Sequence, residues 1–190
     1  ISNALYTTAD FSFSGTDSVS GTNAGTYNMG LTAADFTNTS NNFTNVEFVI
    51  VDGTLEITKR QVTLTSADDS KVYDGTALTN DTVTVTGDGW ADGEGATYDV
   101  TGTQTDVGTS NNTFDYTLND NTLAANYDIT KIEGKLTVTA LTDKVTVTIT
   151  EKSGTELYDG TAKTLTGYTV TSISNALYTT ADFSFSGTDS

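Results

Sequence analysis

Two tyrosine motifs and one acidic loop hold the residues of this chain whose types and spacing could do chemistry. Tyr73, Asp74 and Gly75 form one YDG triplet, and Tyr158, Asp159 and Gly160 form a second, each followed by threonine. A tyrosine beside a carboxylate can contact a ligand. The same residues suit a packed ring followed by a turn, since Asp bonds its own backbone and Gly tolerates positive φ. Two occurrences in diverged surroundings favour the packed ring and the turn. The acidic loop, Gly87 to Gly95, reads GDGWADGEG and carries Asp88, Asp92 and Glu94 with the only tryptophan, Trp90. Carboxylates at short spacing in a Gly-rich loop are weak calcium candidates, because calcium takes oxygen ligands. The spacing does not match an EF-hand loop. An exposed indole could stack on a sugar or a neighbouring module; partial burial in the core is the favoured reading.

Composition removes most catalytic chemistry. The chain has no His, no Cys and no Pro. Without His it lacks the commonest general base and zinc ligand; without Cys it has neither disulfides nor thiolate sites. No nucleophile–base pair, phosphate loop or carboxylate dyad stands out. The expectation is a non-enzyme with no cofactor and no catalytic residues. Eight basic against 25 acidic residues give a formal charge of −17. Nucleic-acid affinity depends on neutralising phosphates with Lys and Arg, so nucleic acid is excluded as a partner. No apolar run is long enough to span a bilayer, and direct membrane insertion is not expected. The absence of a visible signal peptide fits an internal slice of a longer chain.

The elements that must position these residues are read from a repeat. Ile1–Ser18 and Ile173–Ser190 are identical, ISNALYTTADFSFSGTDS, at an offset of 172 residues. Within that period lies a weaker repeat: KVYDGTAL and ELYDGTAK place Tyr73 and Tyr158 85 residues apart. NVEFVIVDGTLEIT (Asn45 to Thr58) matches NYDITKIEGKLTVT (Asn126 to Thr139), and SGTNAGTYN matches TGTQTDVGT. Two unlike modules per period follow. Residues 59–140 form a complete module A. Residues 1–58 are the C-terminal part of module B. Residues 141–190 are the N-terminal part of the next module B, in which 173–190 repeat 1–18.

The local pattern is period two. Val145, Val147 and Ile149 alternate with threonines, as do Val83 and Val85, and Leu136 and Val138. That is the signature of strands with an aliphatic inner face and a Thr outer face. TLAANY and TAADF could each make one helical turn. Asp52-Gly53 and Glu133-Gly134 read as tight hairpins. Each module is expected to hold six to eight short strands. The fold class is mainly β: tandem immunoglobulin-like β-sandwich or β-grasp-like modules, stacked end to end as a rod. Short junctions, without a flexible Gly-Ser stretch, favour a stiff rod.

The two YDGT segments, the NYDITKIEGKLTVT ending and the Gly-rich middle resemble the repeat modules of large Gram-positive surface adhesins, of the MBG type, named for a mucus-binding-protein-like β-grasp. The lack of a long helical pattern favours the sandwich. The resemblance implies a tandem repeat in an extracellular protein at the cell surface or cell wall: a structural stalk, or a filament-forming fibre, that projects or links cells. The alternative is a multivalent binding module for host glycan or mucin. Lys–Asn isopeptide crosslinks also occur in such proteins, and Lys71, Lys131, Lys135, Lys144 and Lys163 are available. The N-x-S/T sequons at Asn38, Asn42, Asn80 and Asn111 read as chance matches. Neither part of module B can bury its apolar face alone. The partners expected are therefore neighbouring identical repeats or subunits, head to tail, by chain continuity or by strands donated between subunits. Packing of 141–190 on 1–58 of the same chain would contradict that.

Overall fold

A computed structural model describes residues 1–187; Thr188, Asp189 and Ser190, the end of the second copy of the identical segment, lie outside the described residues. The strands run β1 (Phe11–Phe13), β2 (Gly25–Asn28), β3 (Phe36–Asn38), β4 (Thr54–Ile57), β5 (Arg60–Ser66), β6 (Asp69–Val72) and β7 (Val83–Gly87). They continue with β8 (Ala96–Val100), β9 (Gly108–Asn112), β10 (Phe114–Leu118), β11 (Tyr127–Ile132), β12 (Gly134–Thr139), β13 (Val147–Glu151) and β14 (Tyr168–Ile173). The fold is mainly β, as the alternation requires. Helical structure among the described residues is confined to single 3-10 turns, including one in TAADF (Ala33–Asp35) and one in TLAANY (Ala124–Asn126).

The chain forms two compact units, each assembled from separate stretches. The first comprises residues 1–65, 83–99 and 115–132. In it β5 is the centre of a three-stranded sheet, between β11 and β7. β11 runs parallel to β5, with Tyr127 opposite Arg60 and Ile132 opposite Thr65. Val62 and Leu64 point inward and are fully buried. β8 pairs with β10, β2 with β4, and β1 with β3. The β1–β3 pair carries a nest of rings: Tyr6, Phe11, Phe13, Phe36, Phe43 and Phe48 stack or meet edge-on at centroid distances of 5.1–6.4 Å. Such contacts add to the area these rings bury.

The second unit comprises residues 66–82, 100–114 and 133–190. β12 lies between β6, to which it is parallel, and β9, to which it is antiparallel. Leu136 and Val138 alternate inward and pack with Leu78 and Tyr73. Beside them sits a buried polar node. The Ser66 hydroxyl donates to the carbonyl of Asn112 at 2.5 Å and accepts from Gly134 N–H at 2.9 Å. The buried Asn112 amide donates to the carbonyls of Ala67 and Asn80 at 3.0 and 2.8 Å. A buried carbonyl left unbonded is costly, so these bonds fix how strand ends meet. A separate two-stranded sheet pairs β13 with β14.

The expected hairpins at Asp52-Gly53 and Glu133-Gly134 do not form. Among the described residues no residue other than glycine takes positive φ, and neither Gly53 nor Gly134 does. Glu133-Gly134 is instead the step from β11 in one sheet to β12 in another. Gly134 is required by close approach: a Cβ there would stand 2.4 Å from Ser66 O and 2.5 Å from Ala67 O. Residues 46–51 form no strand at all, although their pattern predicts one. Replacing Gly134 by alanine forces two backbone segments apart. Gly134→Ala is therefore expected to lower stability by about 1–3 kcal/mol or more, read as a reduced urea midpoint.

Candidate functional site

The YDG triplets build the same local device from different helpers. Asp74 Oδ1 accepts from Thr76 N–H at 2.9 Å and from the Thr76 hydroxyl at 2.8 Å, closing a turn whose Gly75 has φ +78°. Asp159 Oδ1 does the same with Thr161 at 3.0 and 2.6 Å, and Gly160 has φ +76°. Each carboxylate also receives a lysine. Lys71 Nζ, from the preceding strand, reaches Asp74 at 2.7 Å, whereas Lys163 Nζ, beyond the turn, reaches Asp159 at 2.5 Å. Those bonds, the lysine first and the threonine next, hold Asp74 well below the usual carboxylate range. The same causes lower Asp159 to about 2.

The two rings differ. Tyr73 packs against Leu78, Leu136 and Val138. Tyr158 is 89% exposed.

The acidic loop is tied down by groups outside it. Asp88 Oδ2 accepts from Gln61 N–H at 2.8 Å, and the Arg60 guanidinium donates to the carbonyls of Asp88 and Gly89. Glu94 accepts from the Tyr127 hydroxyl, which itself accepts from Ala91 N–H at 3.1 Å. Burial, then the Glu94 carboxylate, push the Tyr127 phenol up. Trp90 is half-buried, edge-on to Tyr127 at 4.9 Å, and its indole N–H donates to Tyr98 Oη at 3.3 Å. Asp92 is exposed. Of the three carboxylates named for calcium, Asp88 and Glu94 thus serve different partners, and Asp92 faces solvent. Among the described residues no three acidic side chains converge as a cation site would need.

The lysines divide likewise. Lys71 and Lys163 serve the turns, Lys131 lies 3.3 Å from Asp115, and Lys144 is exposed. Lys135 meets Asn111 Oδ1 at 2.5 Å, and Asn111 Nδ2 donates to Glu133 at 3.0 Å. Lys135 and Asn111 are direct partners across β12 and β9, a proximity that only strand register reveals. The pair is solvent-exposed, without the apolar enclosure that Lys–Asn crosslinking needs. Three sequon amides, on Asn38, Asn80 and Asn111, donate hydrogen bonds within the fold.

Two contacts carried no sequence signal. Asn126 accepts from Ala24 N–H at 2.8 Å and donates to Asn23 Oδ1 at 3.0 Å, so its side chain clamps a loop a hundred residues away. At the other YDG-bearing end, a Cβ on Gly75 would come within 2.8 Å of Leu177 Cδ2. Leu177 is 40% exposed; Leu5, its equivalent in the identical segment, is 80% exposed.

The last strand of the stretch that holds the aromatic nest, β4, ends at Ile57. Residues 1–59 match the family model of the MBG domain. The MBG match covers the aromatic nest and both strand pairs of that stretch. MBG domains form a non-catalytic repeat family found in extracellular surface proteins. Neither a curated protein nor a solved structure matches the chain. No helix of the described residues is long and apolar enough to cross a membrane.

Because both turn carboxylates are depressed, their contribution is complete above the ordinary carboxylate value of about 4 and is lost as pH falls through the folded value. For Asp159 that window closes at about 2. Carboxyl-carbon NMR titration is expected to show this midpoint, and Lys163→Met should move it toward the ordinary value while leaving Asp74 unmoved.

Proposed function

We propose that this chain is a stretch of a structural stalk or fibre in an extracellular surface protein, built to hold length and direction between a cell and what it meets. The observation that carries this reading is the pair of junction contacts. The Asn126 clamp on Asn23 and Ala24 joins the MBG segment to the residues that follow it. Leu177 seated on the Gly75 turn joins the later stretch to the one before. A flexible linker would carry neither contact. The exact repetition of Ile1–Ser18 at Ile173–Ser190 supplies the same seat again and again along a longer polypeptide.

The competing role is a multivalent binder for host glycan or mucin. A glycan and mucin array probed with the 190-residue chain separates the two. The stalk reading expects no specific signal, and saturable binding by this single period would overturn a purely structural role. Small-angle scattering on polypeptides of one, two and three periods tests the stalk itself. Maximum dimension should rise linearly with the number of periods, and Asn126→Ala should shorten and broaden the distance distribution. A random-coil dependence, growing with the square root of length, would be incompatible with the proposal.

A further inference from the structure

We infer that residues 59–140 act as a tension clamp, a stretch that resists being pulled open along the chain because its first and last strands are loaded in shear. The inference deepens the stalk reading and rests on it, since a stalk carries load through every segment in series. The observation that carries it is strand polarity. β5 and β6 open the stretch, β11 and β12 close it, and the closing strands run parallel to the opening ones. Both ladders keep one register, each opening residue standing opposite the one 67 positions later. Arg60 faces Tyr127 and Thr65 faces Ile132 in the first; Asp69 faces Leu136 and Val72 faces Thr139 in the second. Tension pulls β5 and β6 at their N-terminal ends and β11 and β12 at their C-terminal ends. In a parallel pair those ends lie at opposite ends of the ladder, so the pull runs along the strands and the bonds share it. They must then break together. In an antiparallel pair the same two ends lie side by side, and the bonds would open one at a time.

Side chains hold the opening and closing segments together where the backbone ladders pause. The Ser66 hydroxyl accepts from Gly134 N–H at 2.9 Å, and Asp68 Oδ1 accepts from Lys135 N–H at 2.6 Å. In each case the acceptor belongs to the opening segment and the donor to the closing one. The second ladder is extended by one more bond, from Tyr73 N–H to the carbonyl of Thr139 at 2.8 Å. Burial protects both ladders. Val62 and Leu64 seal the inner face of β5, and Leu136 and Val138 that of β12, all fully buried. Water that could take over a stretched backbone bond is kept from that face.

The chain has no cysteines, so an introduced pair sets the two points of attachment for single-molecule force spectroscopy. Lys59, Ala125 and Ala140 are exposed, which keeps the substitutions away from the core. In the 190-residue chain, Lys59→Cys/Ala140→Cys loads both ladders in shear. Lys59→Cys/Ala125→Cys puts both handles at the Arg60–Tyr127 end of the first ladder and peels β5 from β11 pair by pair. At equal pulling speed the first variant should rupture at a force at least twofold higher than the second, in a single release. Forced unfolding reads the barrier along the pull, so the two forces differ although the fold is the same. Thr58→Cys/Thr142→Cys, one step further out on each side, keeps the shear polarity and should give the same high force. Equal forces in the two geometries, a higher force for peeling, or release of the sheared stretch in a series of small steps would each overturn the inference. The scattering series is read separately. A low shear force beside linear growth in length would remove the clamp and leave the stalk, whereas a high shear force beside random-coil growth would remove the stalk.

Discussion

A β-strand is stable only when its backbone donors and acceptors are bonded along an edge, and in this chain the bonding partner is nearly always remote in sequence. The parallel ladders state the constraint most sharply. β5 needs β11, and β6 needs β12, from the far side of some sixty residues. Parallel neighbours cannot be joined by a tight turn, so the chain must travel out and return before either ladder exists. The buried Ser66, Asn112 and Gly134 node and the inward Leu136 and Val138 depend on that return. Residues 46–51, with no such partner beside them in this structure, form no strand.

The identical segments make this a controlled comparison within one molecule. In both copies a threonine–aspartate box closes a 3-10 turn: Thr7 N–H donates to Asp10 at 2.8 Å, and Thr179 N–H to Asp182 at 2.8 Å. In both, the tyrosine ring stacks on the following phenylalanine, at 6.4 and 6.2 Å. Beyond those few residues the copies diverge. Phe11–Phe13 is strand β1 because Phe36–Asn38 lies beside it, while Phe183–Phe185 is not a strand. The Tyr6 hydroxyl reaches Asn38 Oδ1 at 3.0 Å in addition to its own Asp10 carbonyl. The Tyr178 hydroxyl bonds the Asp182 carbonyl at 3.2 Å.

The chemistry-bearing residues follow the same division. Turn-forming roles were legible, because Asp74 and Asp159 act on residues two positions away and Gly75 and Gly160 act through their own φ. The half-buried setting of Trp90 was also within reach of the sequence. The fates of Asp88 and Glu94 were not, since Gln61 and Tyr127 arrive from distant strands. The Asp-Gly and Glu-Gly dipeptides misled for a related reason. Both hairpin turns and sheet-to-sheet steps select glycine, one for positive φ and the other for clearance, and a sequence records the glycine without the cause.

By itself the sequence determined the β class, the 172-residue period, the inward and outward faces of the strands, the 3-10 turns and the YDG turns. Each of these rests on interactions within a few residues, or on periodicity that any partner would have to match. Only the tertiary structure decided which strands pair and in what register, why Gly134 must be glycine, that Asn126 clamps the Asn23–Ala24 loop, and that Leu177 is half as exposed as Leu5. Those facts depend on what the chain places opposite a residue, and local composition carries no record of the opposite strand.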